Sequence, residues 1–264
     1  MNLRAVDAET TGLPAEAGDE NAIPTGIMQI GWCDVNGDDP IGPPKSELVD
    51  CGIPVQIQAR AIHHISDAMV AGKMSPTEAC RILVDGDFDV MAAHNVDHEK
   101  HYIGTGFKPG TEEVRPWLCT YKPALRLWPD APGHKLQELR YYLDLDAESD
   151  FDPALCAIPH LAPDDAYVCA HLARRVLIEC EAQGIDFDRL IKWSAGPGLL
   201  VMCWMKKHKG KTWSWVAHND RPYLDWIYNK SDITDRDIRA TAKYWLKQTA
   251  HAESPHPAGD PYTR

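Results

Sequence analysis

Two carboxylates near the start of the sequence, Asp7 and Glu9, are the first side chains that could do chemistry. They lie at the end of a short apolar run, LRAVD, that predicts a β-strand. Because strand side chains alternate with period two, both carboxylates point to the same face. Mg²⁺ and Mn²⁺ prefer such oxygen ligands, so the pair predicts a site for a hard divalent cation. A solvated strand end is the simpler interpretation of D-x-E taken alone.

A second group of polar side chains, AAHNVDHEKH at residues 92–101, follows another predicted strand. Its carboxylates, Asp97 and Glu99, would lie at the carboxyl edge of a sheet, where sheet enzymes tend to place their sites. Either one is a candidate metal ligand, since Asp97 would come within reach if the chain is still extended there.

A third group, IPHLAPDDAYVCAHL at residues 158–172, combines His160 with Asp164 and Asp165 just ahead of a long helical pattern. An imidazole can accept a proton near neutral pH, which makes His160 a candidate general base. The alternatives are that His160 is an ordinary surface-loop histidine and that Asp164 is only the N-cap of the helix.

The hydrophobic pattern predicts the elements that hold these groups. Two strands, Leu3–Asp7 and Ile27–Val35, form an opening hairpin, after which strands alternate with helices, and this indicates an α/β fold with a mixed sheet. Further strands are predicted around 47–49, at 88–94 and at 114–120, and helices at 76–84, 121–128, 134–143 and 165–184, the last ending at Gly184.

Length and composition describe a folded protein with one full core and room for a small second domain. The chain has 264 residues, of which 44% are hydrophobic and 25% charged, the averages for globular proteins. Its eight cysteines are scattered without a C-x-x-C pair, which predicts reduced, buried thiols. No apolar run has the length of a signal peptide or a membrane span, so we expect a cytoplasmic protein without a membrane partner.

Charge is unevenly distributed along the chain, whose formal net charge is −12. From Ala195 onward, 11 Lys and Arg residues stand against seven Asp and Glu, a net of +4, which leaves −16 for the first 194 residues. Composition changes at the small residues SAGPG, 194–198. These features predict an acidic metal-binding domain at 1–194, a basic substrate-binding module at 199–250 and a frayed tail at 251–264.

The basic module contains the stretch MKKHKGKTWSWV, residues 205–216. Lysines follow phosphates and tryptophan rings stack on bases, so Lys209 and Lys211 are candidate nucleic-acid contacts. Solvated surface is the alternative for such a lysine run. Trp226 and Trp245 are assigned to packing, because a small module needs large side chains to fill its core.

The order D-x-E-x-T-G, then A-H-N with an acid soon after, then H-x-x-x-x-D resembles the DEDDh (DnaQ-like) superfamily of 3′-5′ exonucleases. Segments 61–70 and 119–128 and the tail also resemble a bacterial subgroup that carries a C-terminal module, so the resemblance covers nearly the whole chain. It implies a ribonuclease H-like fold, in which helices flank a mixed five-stranded sheet, with a small, mainly helical module at the C-terminus.

The resemblance also implies the roles of the site residues. Asp7 would bridge two ions, Mg²⁺ or Mn²⁺, with Glu9 and Asp165 on opposite sides, and His160 would be the general base. The second motif departs from the family pattern, because Glu99 stands where the family has aspartate and His98 where it has phenylalanine. Glu99 is the aligned ligand for the more weakly bound ion. Its extra methylene, or the alternative ligand Asp97, leaves the strength of catalysis open.

Substrate contacts follow from the same resemblance. In the family, the stretch after the first two acids lines the pocket for the terminal nucleotide, the A-H-N motif contacts substrate or supports its strand, and the histidine pair at 63 and 64 belongs to the framework. The matching residues here are Thr11, Gly12, Leu13, His94 and Asn95.

The expected activity is therefore 3′-to-5′ hydrolysis of DNA ends, preferably single-stranded, with release of nucleoside 5′-monophosphates. RNA or short oligoribonucleotides are the alternative substrates, because a contact to the 2′-hydroxyl cannot be identified in a sequence. A nucleic-acid-binding protein with weakened catalysis is the alternative that the Glu99 substitution raises. A proofreading subunit docked on a polymerase ranks lower.

Overall fold

The computed structural model describes residues 1–14, 23–105 and 115–250, and the tail predicted at 251–264 lies outside the described residues. Contacts divide the chain into two compact units: Met1–Thr120 with Lys135–Ile178, and Tyr121–His134 with Glu179–Arg264. The second unit thus includes segments that the sequence assigned to the first domain, because Leu125 packs into its core. A boundary of independent folding between 194 and 199 stays a prediction.

The strands, in chain order, are β1 (Asn2–Thr10), β2 (Ile27–Asn36), β3 (Lys45–Leu48), β4 (Val90–Ala93), β5 (Trp117–Cys119), β6 (Met202–Cys203) and β7 (Lys211–Thr212). The helices are α1 (Ile57–His63), α2 (Asp67–Val70), α3 (Pro76–Val84), α4 (Val96–Thr105), α5 (Tyr121–Leu127), α6 (Leu136–Tyr142), α7 (Ala162–Ala182), α8 (Phe187–Ala195), α9 (Trp213–Asn219), α10 (Arg221–Asn229) and α11 (Arg236–Ala250). Short 3-10 helices span Leu145–Ala147, Pro153–Cys156 and Lys206–His208.

The first unit is built on a five-stranded sheet in the order β3-β2-β1-β4-β5. Strands β1, β2 and β3 pair antiparallel, whereas β4 is parallel to both β1 and β5. The mixed five-stranded sheet predicted from the sequence is thereby confirmed. The three central strands, β2, β1 and β4, are almost wholly buried.

The predicted hairpin, the helix at 76–84 and the three helical patterns that follow are all present, with ends shifted by a few residues. Two alternatives that the sequence left open are excluded in a way that affects the site. The chain is not extended at Asp97, because helix α4 already begins at Val96. Asp164 is not an N-cap, because helix α7 begins at Ala162, and its carboxylate instead accepts a hydrogen bond from the Ile158 amide.

The second unit is mainly helical, as predicted, with a two-stranded sheet of β6 and β7 beside helices α9 to α11. Trp213 and Trp245 fill its core and are 0% and 3% exposed. The assignment of Trp226 to packing was wrong, because α10 buries Leu224 and Ile227 and leaves Trp226 42% exposed. All eight cysteines are free thiols, and no helix among the described residues is long and apolar enough to span a membrane.

Candidate active site

Three of the predicted carboxylates meet at one point of the first unit. Asp7 and Glu9 project from β1, and Asp165 projects from the first turns of α7. One oxygen of each lies within 4.8 Å of the others. Residues that are far apart in the sequence, Asp7 and Asp165, thus lie close together in the fold. Three carboxylate oxygens at this spacing are a suitable set of ligands for a hard divalent cation.

Asp165 reaches the sheet because α7 begins directly against β2. Gly31 pairs with Asp7 across β1 and β2, and a Cβ atom at Gly31 would overlap the carbonyl group of Ala162. Gln29, two residues away, accepts a hydrogen bond from the Ala162 amide at 3.2 Å. A glycine within a strand indicates a close backbone approach, and this one sets the distance between Asp7 and Asp165.

We predict that Gly31→Ala lowers the rate of the phosphodiester hydrolysis expected from the sequence by more than about tenfold. It should also lower the free energy of unfolding by about 1–3 kcal/mol, the range for overpacking. The added methyl group must push the start of α7, and Asp165 with it, away from β1. Gly42→Ala is the matched control, since a Cβ atom there meets nothing within 4 Å. Equal activity and equal thermal unfolding of the two variants would contradict this assignment.

Glu99, the aligned carboxylate of the second motif, points toward the same three carboxylates from α4. It is 3% exposed, and its Oε2 atom is buried without a hydrogen-bond partner. Asp97 is exposed. Two helix positions differ by about 200° around the axis, so only one of the two can face the sheet. The geometry thus separates the two candidates that the sequence left open, and Glu99 is the one beside the other carboxylates.

The electrostatics of these four carboxylates favour the binding of a positive charge. Burial raises the pKa of Asp7 well above its ordinary value, and the negative charges of Glu9, Asp165 and Glu99 raise it further. Burial is also the largest cause of the shifts of the other three carboxylates. The pKa of Glu9 and that of Glu99 are each raised to about 8, and the pKa of Asp165 is raised above its ordinary value. A buried carboxylate without a partner is costly, and a bound cation would remove that cost.

Another acidic group in the first unit, Glu148 and Asp150 with His171, has the opposite electrostatics. Arg174 donates to Glu148 at 2.8 Å and to Asp150 at 2.6 Å. Burial raises the pKa of Glu148, but hydrogen bonds from His171, Arg174 and Arg175 outweigh it and lower the pKa to about 2. Since arginines already supply the positive charge, this group is a structural ion-pair network and not a metal site.

His160 lies in the loop before α7 with its ring 61% exposed and its Nδ1 atom 4.0 Å from Asp165 Oδ2. Its backbone has φ of 64°, a left-handed conformation that non-glycine residues rarely adopt. The same Asp165 oxygen accepts a hydrogen bond from the His160 amide at 3.1 Å, while Gln137 donates to the other oxygen at 2.9 Å. The exposed imidazole therefore stands at the edge of the carboxylate cluster, held by its backbone.

In the predicted nucleotide-binding stretch, Thr11 to Leu13, the residues Gly12 and Leu13 line a cavity of about 410 Å³ that Glu9 also lines. Leu13 is 79% exposed, so an apolar side chain is available to a ligand at the mouth of this cavity. Thr11 is fully buried and ties the stretch to the Gly26 backbone. His98, at the family's phenylalanine position, lines the same cavity.

Two residues that the sequence did not single out for this role fix that stretch in place. The Ile65 amide donates to His63 Nδ1, so the Nε2 atom of His63 carries the proton and donates to the Thr10 carbonyl at 3.1 Å. Tyr102, three residues after Glu99 on α4, donates from its buried hydroxyl to the Gly12 carbonyl at 2.7 Å. His63 is a framework residue, as its sequence context indicates, whereas no sequence signal identifies Tyr102.

We predict that Tyr102→Phe raises KM for the nucleic-acid substrate expected from the sequence about five- to tenfold with a smaller change in kcat, the effect of losing one buried hydrogen bond. Without the hydroxyl, the Gly12 carbonyl keeps the Thr10 hydroxyl as a donor but loses the one from α4, so the stretch from Thr11 to Leu13 loosens. Tyr141→Phe removes a hydroxyl from an exposed side chain and is the control. The assignment fails if both variants have the KM of the parent protein in steady-state kinetics.

The remaining predicted substrate contacts belong to two different units: His94 and Asn95 to the first, and Lys209 and Lys211 to the second. His94 Nδ1 is 2.9 Å from the Thr120 hydroxyl, which connects the ends of β4 and β5, and Asn95 makes the turn into α4 with φ of 74°. These positions favour support of the strand ends over direct substrate contact. Lys209 and Lys211 are exposed in the second unit.

The chain is similar to known proteins over most of its length. A model of the exonuclease family matches residues 5–173. Exodeoxyribonuclease 10 of Escherichia coli, in strain K12 and in strain CFT073, is 31% identical over 247 residues, which cover 94% of this chain and 100% of the relative. A solved structure described as exonuclease X in complex with 5′ overhanging duplex DNA has 28% sequence identity and a TM-score of 0.56, and the match covers 73% of this chain and 99% of the other.

Proposed function

This chain belongs to the exonuclease family, and we propose that it is a metal-dependent exodeoxyribonuclease that removes nucleotides from the 3′ ends of DNA. The observation that carries the proposal is the buried Glu99 Oε2, unpartnered beside three carboxylates whose pKa values are all raised. Such a site fits a divalent cation better than any neutral ligand. DNA is proposed because the E. coli relatives are exodeoxyribonucleases and the solved exonuclease X structure contains DNA.

Asp7, Glu9, Glu99 and Asp165 would hold two divalent ions, Mg²⁺ or Mn²⁺. When bound, the ions would neutralise the phosphodiester and favour ionisation of the attacking water. The raised pKa values support this assignment, because burial, and after it the negative charges of neighbouring carboxylates, disfavours the ionised side chains until a cation binds.

His160 would act as the general base. Its Nδ1 atom faces Asp165, so its Nε2 atom is free to take the proton of the attacking water. As water adds to phosphorus, the bond to the 3′ oxygen of the penultimate nucleotide breaks, and that oxygen takes up a proton from solvent. This leaves a 5′-monophosphate on the released nucleoside and a 3′-hydroxyl on the strand. The exposed ring supports this role, since a base must release its proton to solvent after each turnover.

Gly12 and Leu13 would bind the terminal nucleotide in the cavity beside Glu9, with Leu13 against the base, while the buried Thr11 would hold this stretch to Gly26. His94 and Asn95 would hold the edge of the site. The cavity is large enough for one nucleotide and opens at the exposed Leu13, which supports binding of an unpaired 3′ end in preference to a closed duplex end. The buried position of Glu99 supports an active enzyme over a binding protein that has lost catalysis.

Four 5′-labelled substrates test the proposal: single-stranded DNA, blunt duplex DNA, duplex DNA with a 3′ overhang, and an RNA strand of the same sequence. We expect ladders that shorten from the 3′ end of the first and third, with nucleoside 5′-monophosphates as products and a loss of more than about 100-fold in His160→Ala. Faster degradation of RNA would replace the DNA assignment by exoribonuclease activity. Internal cuts would contradict the exonuclease polarity.

A further inference from the structure

The lysine-rich segment of the second unit forms a short loop between β6 and β7. Gly210 closes it with φ of 81° and donates its amide to the Cys203 carbonyl at 2.9 Å. Four lysines lie within the six residues KKHKGK at 206–211, and no acidic residue interrupts them. The side chains of all four are exposed, so the loop presents a dense positive charge.

A row of four aromatic rings lies against this loop. The ring of His208 is 5.9 Å from that of Trp215 and 4.9 Å from that of Tyr223, measured between centroids. Tyr223 in turn stacks on Trp226 at 5.6 Å with an interplanar angle of 19°. Trp215 is 40% and Trp226 42% exposed, whereas the tryptophans that fill the core are buried. Single exposed rings are common on protein surfaces, but a contiguous patch of them indicates an interaction site.

Lysine side chains reach over the same rings. Lys207 Nζ lies 4.8 Å from the Tyr223 centroid, and Lys211 Nζ lies 5.1 Å from the Trp215 centroid. Asp220 pairs with Lys207 at 2.6 Å and with His208 at 2.8 Å, which holds both against the row. We name these six residues the aromatic–lysine face: Lys207, His208, Lys211, Trp215, Tyr223 and Trp226.

We propose that the aromatic–lysine face is a second DNA-binding site that holds a single strand by stacking its bases on the exposed rings. Ring faces stack on unpaired bases and cannot reach those of a closed duplex, whereas lysines bind any phosphate backbone. The combination therefore selects single-stranded DNA. The inference rests on the proposed function for the identity of the strand, since the ligand would be the substrate upstream of its 3′ end.

A second site on the same chain has a specific kinetic consequence. It raises the effective concentration of a long strand near the enzyme and adds nothing for a substrate too short to reach it. The aromatic–lysine face would thus lower KM for long strands and leave kcat unchanged. Hydrolysis of a nitrophenyl ester of thymidine 5′-monophosphate, which offers no strand, would be independent of this face.

Binding of a fluorescent oligothymidylate to the full chain, measured by anisotropy in chelator, tests the inference. We expect Trp215→Ala and Trp226→Ala each to weaken binding about five- to 100-fold, the range for one lost stacking contact. Trp215→Phe and Trp226→Phe keep a ring and should retain most of the affinity. Lys211→Ala should reduce the slope of log Kd against log salt by about 0.7, while Lys192→Ala on α8 should not.

The nitrophenyl ester separates this inference from the proposed function. Alanine variants that lose strand binding and still hydrolyse the ester support the aromatic–lysine face. A double variant, Trp215→Ala with Trp226→Ala, that binds the strand as tightly as the parent would overturn it, as would a parent chain that prefers duplex to single strands. A parent chain that binds the strand but hydrolyses neither ester nor DNA would contradict the proposed function and still support this face.

Discussion

Glu99→Gln is expected to reduce 3′-end hydrolysis by more than about 100-fold, beyond the effect usual for residues that only support a metal ligand. The substitution keeps the size of the side chain and removes the negative charge that a cation requires. Glu99 is buried with an unpartnered Oε2 atom, and its charge acts on Asp7 and is acted on by Glu9, so its loss removes one of the negative charges of the cluster.

Asp97→Asn is the matched control, since it makes the same chemical change two residues away on an exposed side chain. We expect it to leave the rate within about twofold of the parent, as is usual for surface substitutions. Glu99→Asp restores the length that the family motif carries at this position and should retain activity. A greater loss in Asp97→Asn than in Glu99→Gln would show that Asp97, and not Glu99, holds the metal.

The stability of the protein is expected to depend on divalent cations most strongly at alkaline pH. Burial raises the pKa of Glu9 and of Glu99 to about 8 and that of Asp7 well above its ordinary value. In chelator, these groups bind protons more tightly in the folded chain than in the unfolded one. Their contribution to stability is therefore complete below about pH 4, the ordinary range for a carboxyl group, and is lost as the pH rises toward 8.

Mn²⁺ or Mg²⁺ should restore that loss by binding the ionised carboxylates. At about 100 times the dissociation constant, the cation should raise Tm by about 5–10 °C at pH 8, with a much smaller rise at pH 5, where protons compete. Calorimetry or thermal fluorescence measures both. Asp7→Asn should respond little to the cation at either pH. An equal rise at both pH values, or an equal rise in Asp7→Asn, would place the cation elsewhere.

Much of the first unit could be predicted from sequence because its signals are local. Alternating and continuous apolar runs predicted β1, β2 and β4, and the order of the three motifs predicted the exonuclease family, which the comparisons confirm. The convergence of Asp7 with Asp165 could be expected only from the resemblance, since it depends on long-range packing. Gly31 carried a readable signal, because a glycine inside a strand indicates a close approach.

Other features depended on three-dimensional context that no local pattern contains. The choice between Asp97 and Glu99 required knowing that α4 begins at Val96, so that one side chain faces the sheet and the other faces solvent. Trp226 was assigned to packing because its size favours burial, yet the apolar stripe of α10 runs through Leu224 and Ile227. Stacked exposed rings such as Tyr223 and Trp226 become visible only once the helix face is known.

The central claim is that the carboxylate cluster around Asp7 hydrolyses DNA from the 3′ end with the help of divalent cations. The most direct test compares the parent protein with Asp7→Asn on 5′-labelled single-stranded DNA, each with Mn²⁺ and with chelator. A ladder that shortens from the 3′ end only in the parent and only with Mn²⁺ is the predicted result. A ladder that persists in chelator, or in Asp7→Asn with Mn²⁺, would contradict the claim.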